Sequence, residues 1–157
     1  MDRRDFLTGG AALAATLVGS VASAHEGGPK HEHGSAVAVA TPGDPKLARL
    51  AAAATECVTT GEACVRHCVD LLSQGDKTLA GCLKEVLETS AVCASLASLA
   101  LYAKAPTPRL VAFARACATY CRDCAAECKK HAEHHEVCRL CMEACERCAE
   151  ACETLKA

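Results

Sequence analysis

Apolar positions recur every three or four residues through most of this chain, and the seam they draw is occupied by cysteine where leucine would ordinarily stand. The pattern is densest near the C-terminus. Cysteines stand at 117, 121, 124 and 128, with steps of 4, 3 and 4, and again at 138, 141, 145, 148 and 152, with steps of 3, 4, 3 and 4. At roughly 100° per residue, the first group falls within about 60° of arc and the second within about 80°. Each group therefore lines a single stripe of a single helix.

The same period, read with the helix punctuation, predicts four helices. The first starts at Asp44-Pro45, an N-cap acid followed by proline, and runs to about Ser73 with Gly75 as its stop. Its Cys57, Cys64 and Cys68 share one face within about 40°. The second runs from Asp76 as N-cap to about Ala103, with Cys82 and Cys93 three turns apart on one azimuth. The third opens at Thr107-Pro108 and ends near His131, and the fourth spans about His135 to Leu155. Short connections make neighbours antiparallel. The expected fold is all-α, an up-down-up-down antiparallel four-helix bundle with a cysteine-lined core over residues 44–157. Alternating directions place the 73–76 turn and the His131–His135 turn at one polar end. Leu47, Leu50, Leu96, Leu99, Leu110, Phe113 and Leu155 gather as an apolar plug at the other.

Composition supports helices and narrows the function. The 157 residues suffice for one domain. There is no tryptophan, and only Phe6, Phe113, Tyr102 and Tyr120 are aromatic, so the residues that strands favour are scarce. A formal charge of −2 offers no basic face, and no nucleic-acid partner is expected. No carboxylate pair, nucleophile elbow or phosphate loop points to an enzyme.

Residues 1–24 have the features of a twin-arginine signal peptide: Arg3-Arg4 followed by Phe6-Leu7, a mild apolar run from Gly9 to Val18, and Ala22-Ser23-Ala24 as a cleavage site. The run is too short to span a bilayer, so no stable membrane span is expected in the mature chain. An exported, periplasmic protein is the resulting expectation. Residues 25–43, rich in His and Gly, are expected to be a flexible tail, in which His25, His31 and His33 either capture metal weakly or, as the simpler reading, are solvated.

The 14 cysteines carry the chemistry. In a short exported chain so many cysteines ordinarily mean a disulfide framework. However, residues three or four apart on a helix have Cβ atoms about 5–6 Å apart, against about 3.5–4.5 Å for a disulfide. The pairs Cys64/Cys68, Cys117/Cys121, Cys124/Cys128, Cys141/Cys145 and Cys148/Cys152 thus suit metal clamps better than bridges. Zinc wants four ligands in a tetrahedron, which one helical stripe cannot supply and which would have to be assembled awkwardly between helices. Cu(I) selects thiolates and is content with two or three. Buried thiolates without counter-ions are costly, so apo thiols should be protonated, and one Cu(I) per thiolate leaves the core neutral. Cys-x-x-Cys-His and both ferredoxin spacings are absent from the sequence.

Interleaved CxxxC and CxxC motifs, as in CATYCRDCAAEC and CRLCMEACERCAEAC, behind a twin-arginine leader, resemble the bacterial copper storage proteins. The resemblance covers about residues 44–157. It implies a four-helix bundle, a homo-oligomer (often a tetramer), and many Cu(I) ions on core cysteines. In exported members it implies copper held for enzymes such as particulate methane monooxygenase. Carried over by position, Cys57, Cys64, Cys68, Cys82, Cys93, Cys117, Cys121, Cys124, Cys128, Cys138, Cys141, Cys145, Cys148 and Cys152 are the implied ligands. Exported members tend to carry several methionines near the bundle mouth, whereas the mature chain here has only Met142, which reads as a bundle-surface or subunit-contact residue.

His67, His131, His134 and His135 fall at the polar end, where imidazoles could pass Cu(I) to Cys68, Cys128 and Cys138. The alternative is that they complement helix dipoles or face solvent. The reading is a non-enzymatic store of multiple Cu(I) ions, for sequestration or for supply to exported copper enzymes. A disulfide-stapled helical structural or interaction protein and a zinc or heavy-metal buffer stand as alternatives.

Overall fold

The structure is a computed structural model and describes residues 43–157. The expected signal peptide and all but the last residue of the tail lie outside the described residues. Four helices follow one another: α1 (Pro45–Ser73), α2 (Ala80–Tyr102), α3 (Pro108–Lys129) and α4 (Glu136–Thr154). Each packs on its sequence neighbours, and α1 closes the ring against α4, while the backbones of diagonal pairs stay apart. The four inner faces therefore meet along a common axis.

Local chemistry sets the helix ends. Asp44 caps α1 by accepting from the Lys46 amide at 2.8 Å, with Pro45 at the first position. Gly75, at φ +88°, ends it in a Schellman turn: the Asp76 amide reaches Leu71 O and the Gly75 amide reaches Leu72 O, both at 3.0 Å. Thr107 caps α3 through its hydroxyl, which accepts from the Leu110 amide at 3.2 Å.

The second helix departs from expectation. It begins at Ala80 rather than Asp76, because the Asp76 carboxylate accepts from the Thr78 amide at 2.9 Å and nucleates a turn there. This turn tucks Leu79 fully into the core at the polar end. The last turns before His131 and after His135 also leave the α-helical pattern, shortening α3 and α4 by about two residues and one residue.

The plug forms largely as expected: Leu47, Leu50, Leu96, Leu110 and Leu155 are buried, and Phe113 is half-buried against them. Leu99 is not part of it. It is 47% exposed, since the inner face of α2 passes through Leu96 and Ala100 and turns Leu99 about 100° away. Between plug and polar end, cysteine dominates the core. All 14 cysteines are buried, each at most 1% exposed.

A candidate metal centre of converging thiols

An a/d cysteine directs its short side chain at the bundle axis, where four helices converge. The sulfurs consequently meet across helices. Cys57 and Cys145 approach to 3.6 Å, Cys64 and Cys82 to 3.6 Å, and Cys82 and Cys128 to 3.5 Å. Cys93 lies 3.6 Å from both Cys117 and Cys121, and 3.9 Å from Cys148 across the diagonal. These are non-bonded contacts, well beyond the roughly 2.05 Å of a disulfide. They also approximate the edge of a metal–thiolate polyhedron, which is about 3.8 Å for a tetrahedron of 2.3 Å metal–sulfur bonds. The sulfurs thus stand near metal-binding separations before any metal arrives.

Four groups each draw their sulfurs within 4.8 Å of one another. Cys57, Cys93, Cys121 and Cys148 supply one thiol from each helix. Cys64, Cys82 and Cys128 form a trio from α1, α2 and α3. Cys117, Cys148 and Cys152 form a second trio towards the plug, and Cys124, Cys128 and Cys141 a third. Cys145 joins through Cys57. Cys68 and Cys138 belong to none of the groups.

This arrangement bears on two expectations. Of the five proposed clamps along single helices, only Cys124/Cys128 and Cys148/Cys152 share a group. A four-thiol site, expected to be awkward, is present with one ligand per helix. The physical reason is the same for both: neighbours along a helix are held 5–6 Å apart at Cβ, whereas the ring geometry brings facing layers together at the axis.

Where α1 and α2 carry no cysteine, Gly61, Val86 and Thr89 fill the core. An added Cβ at Gly61 would meet Ser90 Oγ at 2.5 Å, so the glycine sets the close approach of α1 to α2. Buried Thr89 donates to the Tyr120 carbonyl at 3.1 Å and lies beside Cys124. This use of a hydroxyl in the core had no counterpart in the sequence reading. The signal was available, since Thr89 falls on the cysteine azimuth of α2, four residues before Cys93.

Protonation follows burial and sulfur hydrogen bonding. Burial pushes the Cys68 and Cys138 thiols up from the ordinary 9.0, reinforced by the neighbouring Cys64 and Cys82. Hydrogen bonding to Cys117 raises Cys121, which keeps its proton. Cys57 runs the other way: hydrogen bonds from Cys121, then Cys145, pull it down to about 5 against its burial. At Cys57 the neighbouring S–H donors thus act on the thiol as a counter-ion would.

At the polar end, His67 Nε2 and His135 Nδ1 lie 3.0 Å apart, with ring centroids at 4.9 Å, joining the last turns of α1 to the start of α4. His131 is largely covered, with Nε2 4.0 Å from Glu127 Oε1 and no hydrogen bond among the described residues. His134 is exposed and apart. Two of the four predicted histidines are thus brought together. Met142 is half-buried against the core cluster.

Ion pairs tie the outer edges. Arg122 forks onto Glu153 at 3.2 and 2.9 Å, joining α3 to α4, and Arg147 forks onto Glu56 at 3.3 and 2.7 Å, joining α4 to α1. All four partners are exposed.

The model of the family described as copper storage protein matches residues 44–157. A structure of the copper storage protein Ccsp from Streptomyces lividans, loaded with 10 copper equivalents, is 31% identical, with a TM-score of 0.62, covering 69% of this chain and 81% of that one. A second, of a cytosolic copper storage protein from Streptomyces lividans with five coppers, is also 31% identical at TM-score 0.62, covering 69% of this chain and 89% of that one. No curated protein sequence matches the chain. That similarity to a cytosolic protein overturns the expectation of an exported, periplasmic location. A reducing cytosol keeps thiols free, the form in which they ligate metal.

Proposed function

The chain belongs to the copper storage protein family and binds and stores multiple Cu(I) ions; from that premise we propose that all fourteen buried cysteines are its ligands. The observation that carries this assignment is the convergence of Cys57, Cys93, Cys121 and Cys148, one from each helix, continued above and below by three-thiol groups. Soft sulfur donors in sets of three, with sulfurs shared between sets, suit Cu(I). Cys128 and Cys148 each belong to two groups and act as bridges. Zinc would be satisfied by the four-thiol group alone and under-coordinated at the trios.

Copper is admitted at the polar end. His67 and His135 present ring nitrogens there, Cys68 follows His67 directly, and Cys138 is one turn beyond His135. These two cysteines take the ion and pass it to Cys64, Cys82 and Cys128. Each protonated thiol gives up its proton as copper binds, and a ratio near one Cu(I) per cysteine keeps the core uncharged. The protein catalyses no reaction; it sequesters copper or supplies it to copper-requiring proteins.

X-ray absorption at the copper edge of the anaerobically loaded chain tests the ligand assignment. Sulfur-only coordination by two or three neighbours per copper is expected. Nitrogen or oxygen neighbours on most of the copper would overturn it.

A further inference from the structure

The sulfurs along the bundle axis do not form one continuous row. Cys57, Cys93, Cys121 and Cys148 share Cys148 with Cys117 and Cys152, which makes an inner set of six thiols towards the plug. Cys64, Cys82 and Cys128 share Cys128 with Cys124 and Cys141, which makes an outer set of five towards the polar end. None of the groups draws sulfurs from both sets. The close contacts of Cys82 and of Cys93 keep the same division, each staying within its own set.

The break has a physical cause. On α1 the cysteines step by 7 from Cys57 to Cys64, and on α2 by 11 from Cys82 to Cys93. The inner faces of those intervals hold Gly61, Val86 and Thr89, all buried. Gly61 has no side chain and Val86 no donor atom. The Thr89 hydroxyl is a hard oxygen whose proton is committed to the Tyr120 carbonyl at 3.1 Å, a poor partner for a soft cation. Half of the ring is thus without sulfur at this level, and only α3 and α4 carry thiols past it. Of these, Cys145 alone borders both sets. Its sulfur lies 3.6 Å from Cys57 on the inner side, and its outer neighbours are Cys124 and Cys141.

We propose that Cys145 is the single relay between two copper compartments, and that the six inner thiols hold a reserve which exchanges only through it. This rests on the copper-storing reading above and gives that store an internal order. Cu(I) on Cys124 and Cys141 takes up the Cys145 sulfur and then the Cys57 sulfur, each incoming sulfur binding before an outgoing one leaves. The proton lost by the incoming thiol passes to the thiolate left behind, so the core keeps its charge, copper stays Cu(I), and no co-reactant is required. At the far end Leu47, Leu50, Leu96, Leu110 and Leu155 are buried together, which leaves the inner set no second exit among the described residues.

Release of copper from the reduced full-length chain, loaded to saturation, into an excess of a chromogenic Cu(I) chelator tests the relay. The wild type is expected to empty in two phases, the slow one carrying about six ions, one per inner thiol. Cys145→Ala is expected to hold about one ion fewer and to slow that phase several-fold, with the fast phase unchanged. Cys145→Ser, which keeps the side-chain shape and removes the sulfur, is expected to do the same. Cys152→Ala takes a thiol from the inner set away from the relay, so it is expected to shrink the slow phase and leave its rate. Thr89→Cys places a sulfur beside Cys124 and one turn from Cys93; combined with Cys145→Ala it is expected to restore most of the slow rate, which a merely structural role for Cys145 would not allow. A single phase in the wild type, a slow rate unchanged in both Cys145 variants, or equal slowing by Cys152→Ala overturns the proposal. Failure of the copper-storing reading has a different signature and overturns both: copper passes to the chelator on mixing in every chain, wild type included.

Discussion

Replacing Cys93 by alanine separates the copper reading from the zinc reading in one variant. Cys93 is fully buried and touches Cys117, Cys121 and Cys148, so its sulfur is the one α2 contributes to the four-helix group. In the apo protein the change removes one large atom from a packed core. By analogy with deletion of a single methyl group, it costs about 0.5–1.5 kcal/mol, a loss of roughly 4 °C in Tm for a domain of this size. In the loaded protein Cys57, Cys121 and Cys148 remain, enough for Cu(I) but one short for zinc. Electroneutrality then removes one copper from the total, not four. If that site is filled at about a hundred times its Kd, its loss withdraws a further ~2.7 kcal/mol of ligand-linked stability. The loaded variant should therefore fall further than the apo variant when anaerobic melts of both forms are compared. Loss of three or more coppers, or equal shifts in the two forms, would refute the reasoning.

Other expectations follow from the same geometry. Alanine at both His67 and His135 should slow Cu(I) uptake in stopped-flow while leaving the final capacity intact; a reduced capacity with unchanged rate would contradict a role at the mouth. Because burial raises Cys68 and Cys138 above their ordinary 9.0, each favours folding below that pH and loses its contribution as pH rises further, by about 1.4 kcal/mol per pH unit. Cys57, lowered to about 5, adds no slope in that range. Apo melts should thus weaken steeply above pH 9, and melts that stay flat to pH 10.5 would contradict it. Alanine at Gly75, which holds φ +88°, should cost about 1 kcal/mol by chemical denaturation, with no effect on copper number.

The four helices and their inward faces were legible because cysteine kept the 3.6-residue period that leucine would have kept, and because Asp44-Pro45, Gly75 and Thr107-Pro108 punctuate the chain in standard ways. Asp76 misled because an aspartate can cap a helix or close a turn, and the choice depended on burying Leu79. Which thiols group together was not legible. Spacing fixes azimuth within one helix, whereas the axial stagger between helices decides that Cys57 meets Cys145 and Cys93 reaches Cys148. The histidine pair shows the same limit, since His67 and His135 are 68 residues apart and meet only when α1 and α4 close the ring. The arginine pair at the N-terminus spoke to location through a short motif alone, and similarity to a cytosolic relative points the other way.

The most direct measurement is an anaerobic titration of the reduced chain with Cu(I) in the presence of a chromogenic Cu(I) chelator, after its free thiols have been counted. A shared-sulfur core requires about fourteen reactive thiols in the unfolded chain and copper withheld from the chelator up to roughly one ion per cysteine. A titration that ends at half that ratio or below, or copper that passes straight to the chelator, would contradict it.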